Sequence, residues 1–359
     1  MKVLMWGFIT VILVLVLVIA WAGSQSGSTE LIGQGELIVL EGTESAVPAD
    51  PVGKLGVMAW NIGYGRGSEG DYAGPWSMEV FEKNLGGIAD VIRDSGVDIV
   101  LLQEVDLGAA RSHGVHQGRD LAERLGWKYC ACVTTWSNRY VPFPYWPPER
   151  HYGAMRSGQC VLSRYPIDSN IRHRQPQPRS NPFWYNMFYL HRAVQAVEIR
   201  VPGLGVLPLM NVHLEAFDVE NNRVHVNRLL KLMEAVPSAS LIVGGDFNAL
   251  PVGVEKRKGY KDEPDIDFTG GDSMEIFFEG GRMQDAISAT DFPEAHTFPA
   301  DAPTRRLDYL AGDSRGWKLE GRVVRGITGT LSDHLPVQAT LTPVSIPDEG
   351  ALPPGEGQP

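Results

Sequence analysis

The segment Leu241-Ile242-Val243-Gly244-Gly245-Asp246-Phe247-Asn248 joins an apolar strand to two reactive side chains. Residues 241–244 are short and apolar, which is typical of a buried strand. Asp246 and Asn248 are two residues apart, so an extended backbone points both side chains the same way. A carboxylate at this position can deprotonate or orient water, and an amide can hold that water or a phosphoryl oxygen. The segment predicts a rigid strand that carries part of an active site.

Four other segments also place polar groups directly at the ends of apolar strands. They are Trp60-Asn61, Leu102-Gln103-Glu104, Asn211-Val212-His213 and Ser332-Asp333-His334. Strand ends are rigid, so they can aim side chains into one cleft. Burying so many carboxylates, amides and imidazoles without a ligand is costly, and a divalent cation with a phosphate would satisfy them. The pattern therefore predicts a metal-dependent phosphoester site.

The predicted metal ligands are all oxygen atoms. Glu104, Asp333 and the amide oxygen of Asn61 are hard ligands that suit Mg²⁺, with Mn²⁺ as an alternative. No histidine and cysteine spacing in the chain fits a structural zinc site. We therefore expect Mg²⁺ or Mn²⁺ as the cofactor.

Two histidines and one further aspartate complete the predicted chemistry. His213 and His334 can donate to phosphate oxygens, and Asp308 can orient His334 by accepting from its other ring nitrogen. Tyr152 and Arg156 are predicted substrate-binding residues. Each of these residues alone has an ordinary structural explanation, so the prediction depends on their combination and order.

The remaining pattern predicts an α/β fold. Strands are predicted at 55–60, 98–102, 159–162, 192–200, 207–212, 306–310 and 337–341, and helices at 80–95, 118–125 and 224–235. Several strands follow one another without an intervening helix, which excludes a strict βαβ alternation. Two packed mixed sheets with helices outside fit this order best.

The amino terminus predicts a membrane-targeting segment. Residues 3–22 contain no charged side chain and are just long enough to span a bilayer. Lys2 precedes the run and the acidic stretch 30–50 follows it, which places the rest of the chain outside the cytoplasmic membrane. Ala20-Trp21-Ala22 also fits a cleavage pattern, so residues 1–22 are either a signal peptide or an uncleaved anchor.

Composition predicts the boundaries of the linker, the catalytic domain and the tail. Residues 23–53 are rich in Gly, Ser and Glu and are predicted to be a flexible linker. Residues 54–341 form the predicted catalytic domain, and 342–359 a disordered tail rich in Pro and Gly. The net charge of −11 gives no long-range attraction to nucleic acid or to anionic membranes.

The three cysteines are too few for a disulfide framework. Cys130 and Cys132 share a face of a predicted strand, and Cys160 lies in an apolar run. All three are interpreted as small buried hydrophobic residues.

Two segments, 136–152 and 181–190, are unusually aromatic and are predicted to be loops. Aromatic residues at this density are typical of a substrate wall or of a surface that dips into a membrane. The alternative is a hydrophobic cluster beneath long loops.

Taken in order, these segments resemble the endonuclease/exonuclease/phosphatase superfamily, which includes deoxyribonucleases, neutral sphingomyelinases and inositol polyphosphate phosphatases. The residues that carry the resemblance are Trp60-Asn61, Gln103-Glu104, Ser157-Gly158-Gln159-Cys160-Val161-Leu162-Ser163-Arg164-Tyr165-Pro166-Ile167, His213, Gly245-Asp246-Phe247-Asn248, Leu307-Asp308-Tyr309 and Ser332-Asp333-His334. The resemblance covers residues 55–341. It implies a four-layer α/β sandwich, in which two packed mixed β-sheets are flanked by helices.

The resemblance also implies roles. Glu104 would bind the metal, with Asn61 and Asp333 assisting. Asp246 and Asn248 would position the attacking water. The pair of His334 and Asp308 would contact the scissile phosphate, and His213 would hold one of its oxygens. Together these roles describe a phosphodiester hydrolase.

The resemblance leaves the substrate open. The apolar amino terminus, the acidic charge and the aromatic segments favour a lipid headgroup phosphodiester, as for a sphingomyelinase or phospholipase C. The alternative is an extracellular nuclease, whose best basic cluster here is Arg172, Arg174 and Arg179. A binding module with an inactive site is disfavoured because every expected catalytic position is filled. No obligate protein partner is implied.

Overall fold

The structure is a computed structural model that describes residues 2–25, 30–41, 50–68, 76–287, 294–326 and 328–344. Most of the predicted tail at 342–359 lies outside these residues, as do positions 26–29 and 42–49 of the predicted linker.

Strands dominate the described residues. In chain order they are β1 (Ile32–Gln34), β2 (Glu36–Val39), β3 (Leu55–Asn61), β4 (Ile99–Asp106), β5 (Tyr129–Trp136), β6 (Ser157–Ser163), β7 (Ile167–Arg174), β8 (Ala193–Val201), β9 (Gly205–His213), β10 (Ile242–Asp246), β11 (Met283–Asp285), β12 (Asp308–Asp313), β13 (Trp317–Val323) and β14 (Val337–Pro343). They form two seven-stranded sheets, ordered β1-β7-β8-β9-β10-β12-β11 and β13-β14-β3-β4-β6-β5-β2. Both are mixed, since β3 and β4 are parallel, as are β9 and β10, among otherwise antiparallel pairs.

The α-helices of the described residues are α1 (Lys2–Gly23), α2 (Met78–Asp94), α3 (Gln117–Leu125), α4 (Phe183–Phe188), α5 (Val219–Glu234), α6 (Ser273–Phe278) and α7 (Thr328–Leu331). The third long helix of the chain, α5, begins five residues earlier than the predicted 224–235. The cause is Asp218, whose side chain accepts from the backbone N–H of Asn221 at 2.8 Å and caps the helix.

Alternation along β3 shows how the layers pack. Leu55, Val57 and Ala59 are buried in one cluster with residues of the other sheet, such as Ile199. The intervening Met58 and Trp60 instead join the cluster formed with α2 and α3. Helices α5 and α6 cover the outer face of the other sheet in the same way. The predicted four-layer α/β sandwich is confirmed.

The predicted linker at 23–53 contains regular structure. Strand β1 pairs with β7 and strand β2 pairs with β5, so residues 32–39 extend one edge of each sheet. Edge strands offer unpaired backbone N–H and C=O groups, and these groups recruit the segment despite its weak strand pattern. This part of the segment is therefore not a free linker.

The interpretation of the cysteines was wrong for two of them. Cys132 and Cys160 lie opposite each other on β5 and β6 and form a disulfide, whereas Cys130 is a buried free thiol. Their spacing of 28 residues carries no sign of this pairing, because only the strand register brings them together. The second aromatic segment also differs from its prediction as a loop, since it contains α4.

Candidate active site

Strand register brings the predicted polar ends together. Asp246, the last residue of β10, pairs with His213 on its parallel neighbour β9 and with Asp308 on its antiparallel neighbour β12. In the other sheet, Asn61 pairs with Gln103. The two packed sheets then place both sets at one end of the sandwich.

Asp246 is the buried centre of the site. Its Oδ2 accepts from the Asn61 amide nitrogen at 3.1 Å, and its Oδ1 accepts from the Asn248 backbone N–H at 2.9 Å. The Nε2 atoms of His213 and His334 lie 3.5 and 3.9 Å from Oδ2. Burial raises the pKa of Asp246 above its ordinary value, because the charged form loses solvation.

His334 and Asp308 form the predicted pair. Nδ1 of His334 donates to Oδ2 of Asp308 at 2.9 Å, which directs Nε2 toward Asp246. The ring of Phe298 packs against the imidazole with centroids 4.7 Å apart. Burial alone would lower the pKa of His334, but the charges of Asp308 and Asp246 outweigh burial and raise it. The imidazolium form is therefore favoured.

Glu104 reaches the site through a backbone irregularity. The pairing of β4 with β6 shifts register between Leu102 and Val105, and Glu104 has a left-handed φ of 52°. Such bulges re-aim a side chain that would otherwise follow the pleat. Burial raises the pKa of Glu104, and the nearby negative charge of Asp333 raises it further. Asp333 itself accepts a charged hydrogen bond from Arg66.

Both ends of the Asn61 amide have hydrogen-bond partners. Its amide oxygen, the predicted metal ligand, accepts from the Gly63 backbone N–H at 3.0 Å, while its nitrogen faces Asp246. Ser332 holds this loop in place by donating to the Asn61 carbonyl oxygen at 2.7 Å. In this arrangement Asn61 positions Asp246.

Arg192 is a site residue that sequence reasoning missed. The guanidinium of this buried side chain donates to Nε2 of His213. Burial, and then the positive charge of Arg192, lower the pKa of His213 well below its ordinary value, so this imidazole is neutral. Arg192, rather than His213, therefore carries positive charge on this side of the site. Its position as the first residue of the predicted strand 192–200 was the only available signal.

A cleft of about 750 Å³ contains most of these groups. Its lining includes Glu104, Arg192, His213, Asp246, Asp333 and His334. Both aromatic segments contribute to its wall, with Trp136, Phe143, Tyr145 and Tyr152 from the first and Trp184, Tyr185, Phe188 and Tyr189 from the second. Tyr152 therefore lies where predicted. Arg156 does not, since its half-exposed side chain pairs with Glu36 at 3.3 Å and is absent from the lining of the cleft.

A second missed arginine supports this wall. Arg111 is buried and donates to both oxygens of Asp106, at 2.9 and 3.0 Å. Aromatic rings surround its guanidinium, with centroid distances of 3.7 Å to Tyr64, 4.7 Å to Tyr152 and 5.5 Å to Trp136. The first aromatic segment therefore rests on a buried ion pair.

A model of the Endonuclease/Exonuclease/phosphatase family matches residues 58–334, which include every strand-end residue described above. The chain belongs to this family. Its members are phosphoester hydrolases, among them nucleases and phosphatases. A comparison with curated proteins gave no match.

Solved structures show the same family fold. A family member from Beutenbergia cavernae DSM 12333 is 24% identical, with a TM-score of 0.58, and the match covers 81% of this chain and 72% of that one. The human Nocturnin catalytic domain is 18% identical, with a TM-score of 0.55 and coverages of 86% and 98%. A mannosyl-6-phosphatase from Bacteroides thetaiotaomicron VPI-5482 is 15% identical, with a TM-score of 0.51 and coverages of 80% and 99%.

Members of the family generally depend on a divalent metal. Glu104 and Asp333 fit such an ion because both line the cleft as hard oxygen donors, and the charge of Asp333 raises the pKa of Glu104. Ligand atoms of Asp246, Asp308 and His334 also lie within 4.8 Å of one another. Glu104 and Asp333 are the candidate ligands with oxygen donors alone, which hard cations prefer, whereas the other set includes the imidazole of His334.

Proposed function

We propose that this protein is a divalent-metal-dependent phosphodiester hydrolase that acts outside the cytoplasmic membrane on a lipid headgroup phosphodiester. The observation that carries the proposal is the buried Asp246, which lies within 4 Å of two imidazoles in an aromatic cleft. The imidazole of His213 is neutral, whereas that of His334 is favoured as a cation. Groups with such different protonation states in one site suit acid and base chemistry.

Asp246 acts on the attacking water. Its raised pKa brings it closer to neutral pH, where a carboxylate accepts a proton most effectively. Asn248 has a left-handed φ of 50°, and its side chain donates to the Leu214 carbonyl at 3.2 Å. Its amide oxygen is left to hold the water beside Asp246.

His334 acts on the departing oxygen. Asp308 fixes the imidazole and favours its protonated form, so Nε2–H donates to a phosphate oxygen and then releases its proton to the leaving group. Arg192, which lines the same cleft beside His213, adds a fixed positive charge for the phosphate. Positioning and charge complementarity are most of what phosphoryl transfer requires.

Glu104 and Asp333 would hold the cation, with Mg²⁺ as the expected ion and Mn²⁺ as the alternative. When bound, it supplies positive charge that neutralises the phosphate oxygens. Asn61 contributes by holding Asp246 in place.

Two observations support a lipid substrate outside the cytoplasm. The wall of the cleft is largely apolar and rich in aromatic side chains, which suits an amphiphile better than a polyanion. The Cys132–Cys160 disulfide is typical of oxidising compartments. By contrast, the basic cluster expected for a nuclease is largely used internally. Arg172 donates to the carbonyls of Thr134 and Glu30, and Arg174 contacts His191.

The test is hydrolysis of a chromogenic phosphodiester by the full chain with Mg²⁺, with Mn²⁺ and with a chelator. The chain should be kept whole because residues 32–39 belong to the sheets. We expect turnover that the chelator abolishes and that Asp246→Asn lowers by about 10³-fold or more. Exposed Asp301 provides the matched control, and Asp301→Asn should leave turnover unchanged. Metal-independent turnover, or turnover of phosphomonoesters alone, would contradict the proposal.

A further inference from the structure

Exposed aromatic side chains are concentrated around the mouth of the cleft. Outside α1, the described residues include seven exposed aromatic side chains, and all lie on the segments that surround this cleft. We call this set the aromatic rim, and it comprises Phe143, Tyr145, Trp146, Phe183, Trp184, Tyr185 and Phe217. Such a contiguous patch is unusual on a surface that faces only water.

Helix α1 ends against the first of the two aromatic segments that carry most of this rim. Its stretch Leu4–Gly23 is apolar and long enough to cross a membrane, and its side chains are almost entirely exposed. The carbonyl of Ala22 accepts from the Tyr140 backbone N–H at 3.1 Å, and the carbonyl of Ser24 accepts from that of Arg139 at 3.1 Å. The apolar span therefore passes into the catalytic domain without a spacer.

Asn138 connects the three elements. Its amide nitrogen donates to the carbonyl of Gly23 at 3.0 Å and to that of Met187 at 2.8 Å. One side chain of the first aromatic segment thus binds both the end of α1 and the second aromatic segment. The position of the rim relative to the apolar span is fixed by these bonds.

The wall of the cleft includes a residue of the apolar span. Ile19 lines the cleft and lies one helical turn before Gly23, which is about 6 Å along the helix axis. If Gly23 marks the end of the membrane-spanning stretch, the mouth of the cleft lies at the bilayer surface.

We propose that the aromatic rim inserts into the interfacial layer of the same bilayer that α1 spans, so that the catalytic cleft opens directly onto the membrane surface. Tyr and Trp are the side chains that partition best into this layer. Because the protein carries a net charge of −11, the contact depends on burial of aromatic surface and is insensitive to salt. The consequence for catalysis rests on the proposed function, whereas the membrane contact itself does not.

The test measures where the rim lies. A fluorophore is attached through Trp146→Cys, Phe183→Cys or, as a control, Val206→Cys, in the full chain reconstituted into phosphatidylcholine vesicles. Trp146 and Phe183 are each 79% exposed and do not line the cleft. Val206 is 51% exposed and lies at the opposite end of β9 from His213. The native cysteines do not compete, since Cys130 is buried and the other two are bonded to each other.

We expect lipids with a nitroxide in the upper acyl chain to quench the labels at 146 and 183 at least about twice as strongly as the label at 206. The quenching should persist at high salt. Equal quenching at all three positions, or stronger quenching of all labels by aqueous iodide than by the lipid, would overturn the proposal.

Turnover measurements distinguish the membrane contact of the rim from its role in catalysis. The double variant Trp146→Ser/Phe183→Ser should hydrolyse a susceptible vesicle phospholipid about tenfold more slowly and the soluble chromogenic diester at an unchanged rate. An equal loss on both substrates would overturn the link between rim and substrate. Lipid quenching of the rim labels in a protein without any turnover would support the membrane contact and contradict the proposed function instead.

Discussion

The catalytic floor and the aromatic rim of the same cleft are built in opposite ways. The floor comprises Glu104 at the bulge of β4 together with His213, Asp246, Asp308, Asp333 and His334 at or near strand ends, and each side chain contacts another charged or polar group of the site. The rim lies on connecting segments, and its side chains are exposed. The difference indicates that the floor must keep one geometry, whereas the rim needs only to present aromatic surface.

The largest effect is expected from breaking the floor. His334→Gln should lower turnover by about 10³-fold or more, because it removes the proton donor. Asp308→Asn should lower it nearly as much, and the double variant should be no worse than His334→Gln alone, since the two residues act as a pair. The measurement is turnover of the soluble diester by each folded variant. Losses that multiply in the double variant would show that the two residues act independently.

The buried ion pair of Arg111 and Asp106, which supports the first aromatic segment, should also be sensitive to substitution, but through the stability of the fold. Arg111→Leu leaves the fully buried carboxylate of Asp106 without its charged partner, so we expect a loss of about 4 kcal/mol in the free energy of unfolding. Denaturant unfolding in detergent measures it. The matched control is Arg119→Leu, which breaks the exposed pair with Glu123 and should cost less than about 1 kcal/mol. Similar costs for both variants would contradict the structural role given to Arg111.

The buried layer beneath the floor should make stability sensitive to acid. His225 accepts from the Glu215 backbone N–H through Nδ1, and its Nε2 faces the Pro176 carbonyl, so a second proton has no acceptor. Burial lowers the pKa of His225 to about 4. Neutral His225 contributes its full stabilisation of the fold above pH ~6.5, where this histidine is also neutral in the unfolded chain. The stabilisation is lost as pH falls toward about 4.

His225→Gln removes this titration. The difference in unfolding free energy between pH 7 and pH 4 should shrink by about 3 kcal/mol relative to the unmodified protein. Unfolding curves at the two pH values measure it. An identical pH dependence in the variant would show that the pKa of His225 is the same in the folded and the unfolded chain.

The smallest effect is expected on the rim itself. Tyr145 is exposed, so Tyr145→Ser should change the free energy of unfolding in detergent by less than about 0.5 kcal/mol. A loss comparable to that of Arg111→Leu would contradict the contrast between a fixed floor and a tolerant rim.

The residues of the floor were predictable because each lies at or beside the end of an apolar run. Asp246, Asn248, Glu104, His213 and His334 were identified in this way, Asp308 was predicted as the partner of His334, and the structure brings them together. Their detailed partners were not predictable. The amide of Asn61 faces Asp246, and His213 is neutral beside Arg192, because those contacts form between distant segments.

The sequence by itself determined the α/β class, the positions along the chain of β3, β4, β6, β8, β9, β10, β12 and β14, the apolar span and the polar strand ends. These follow from local periodicity, which depends on neighbours within a few residues. Only the tertiary structure decided the Cys132–Cys160 bond, the strands within 23–53, the departure of Arg156 from the cleft and the union of α1 with the rim. These depend on strand register and on the packing of segments far apart in the chain, which no local pattern encodes.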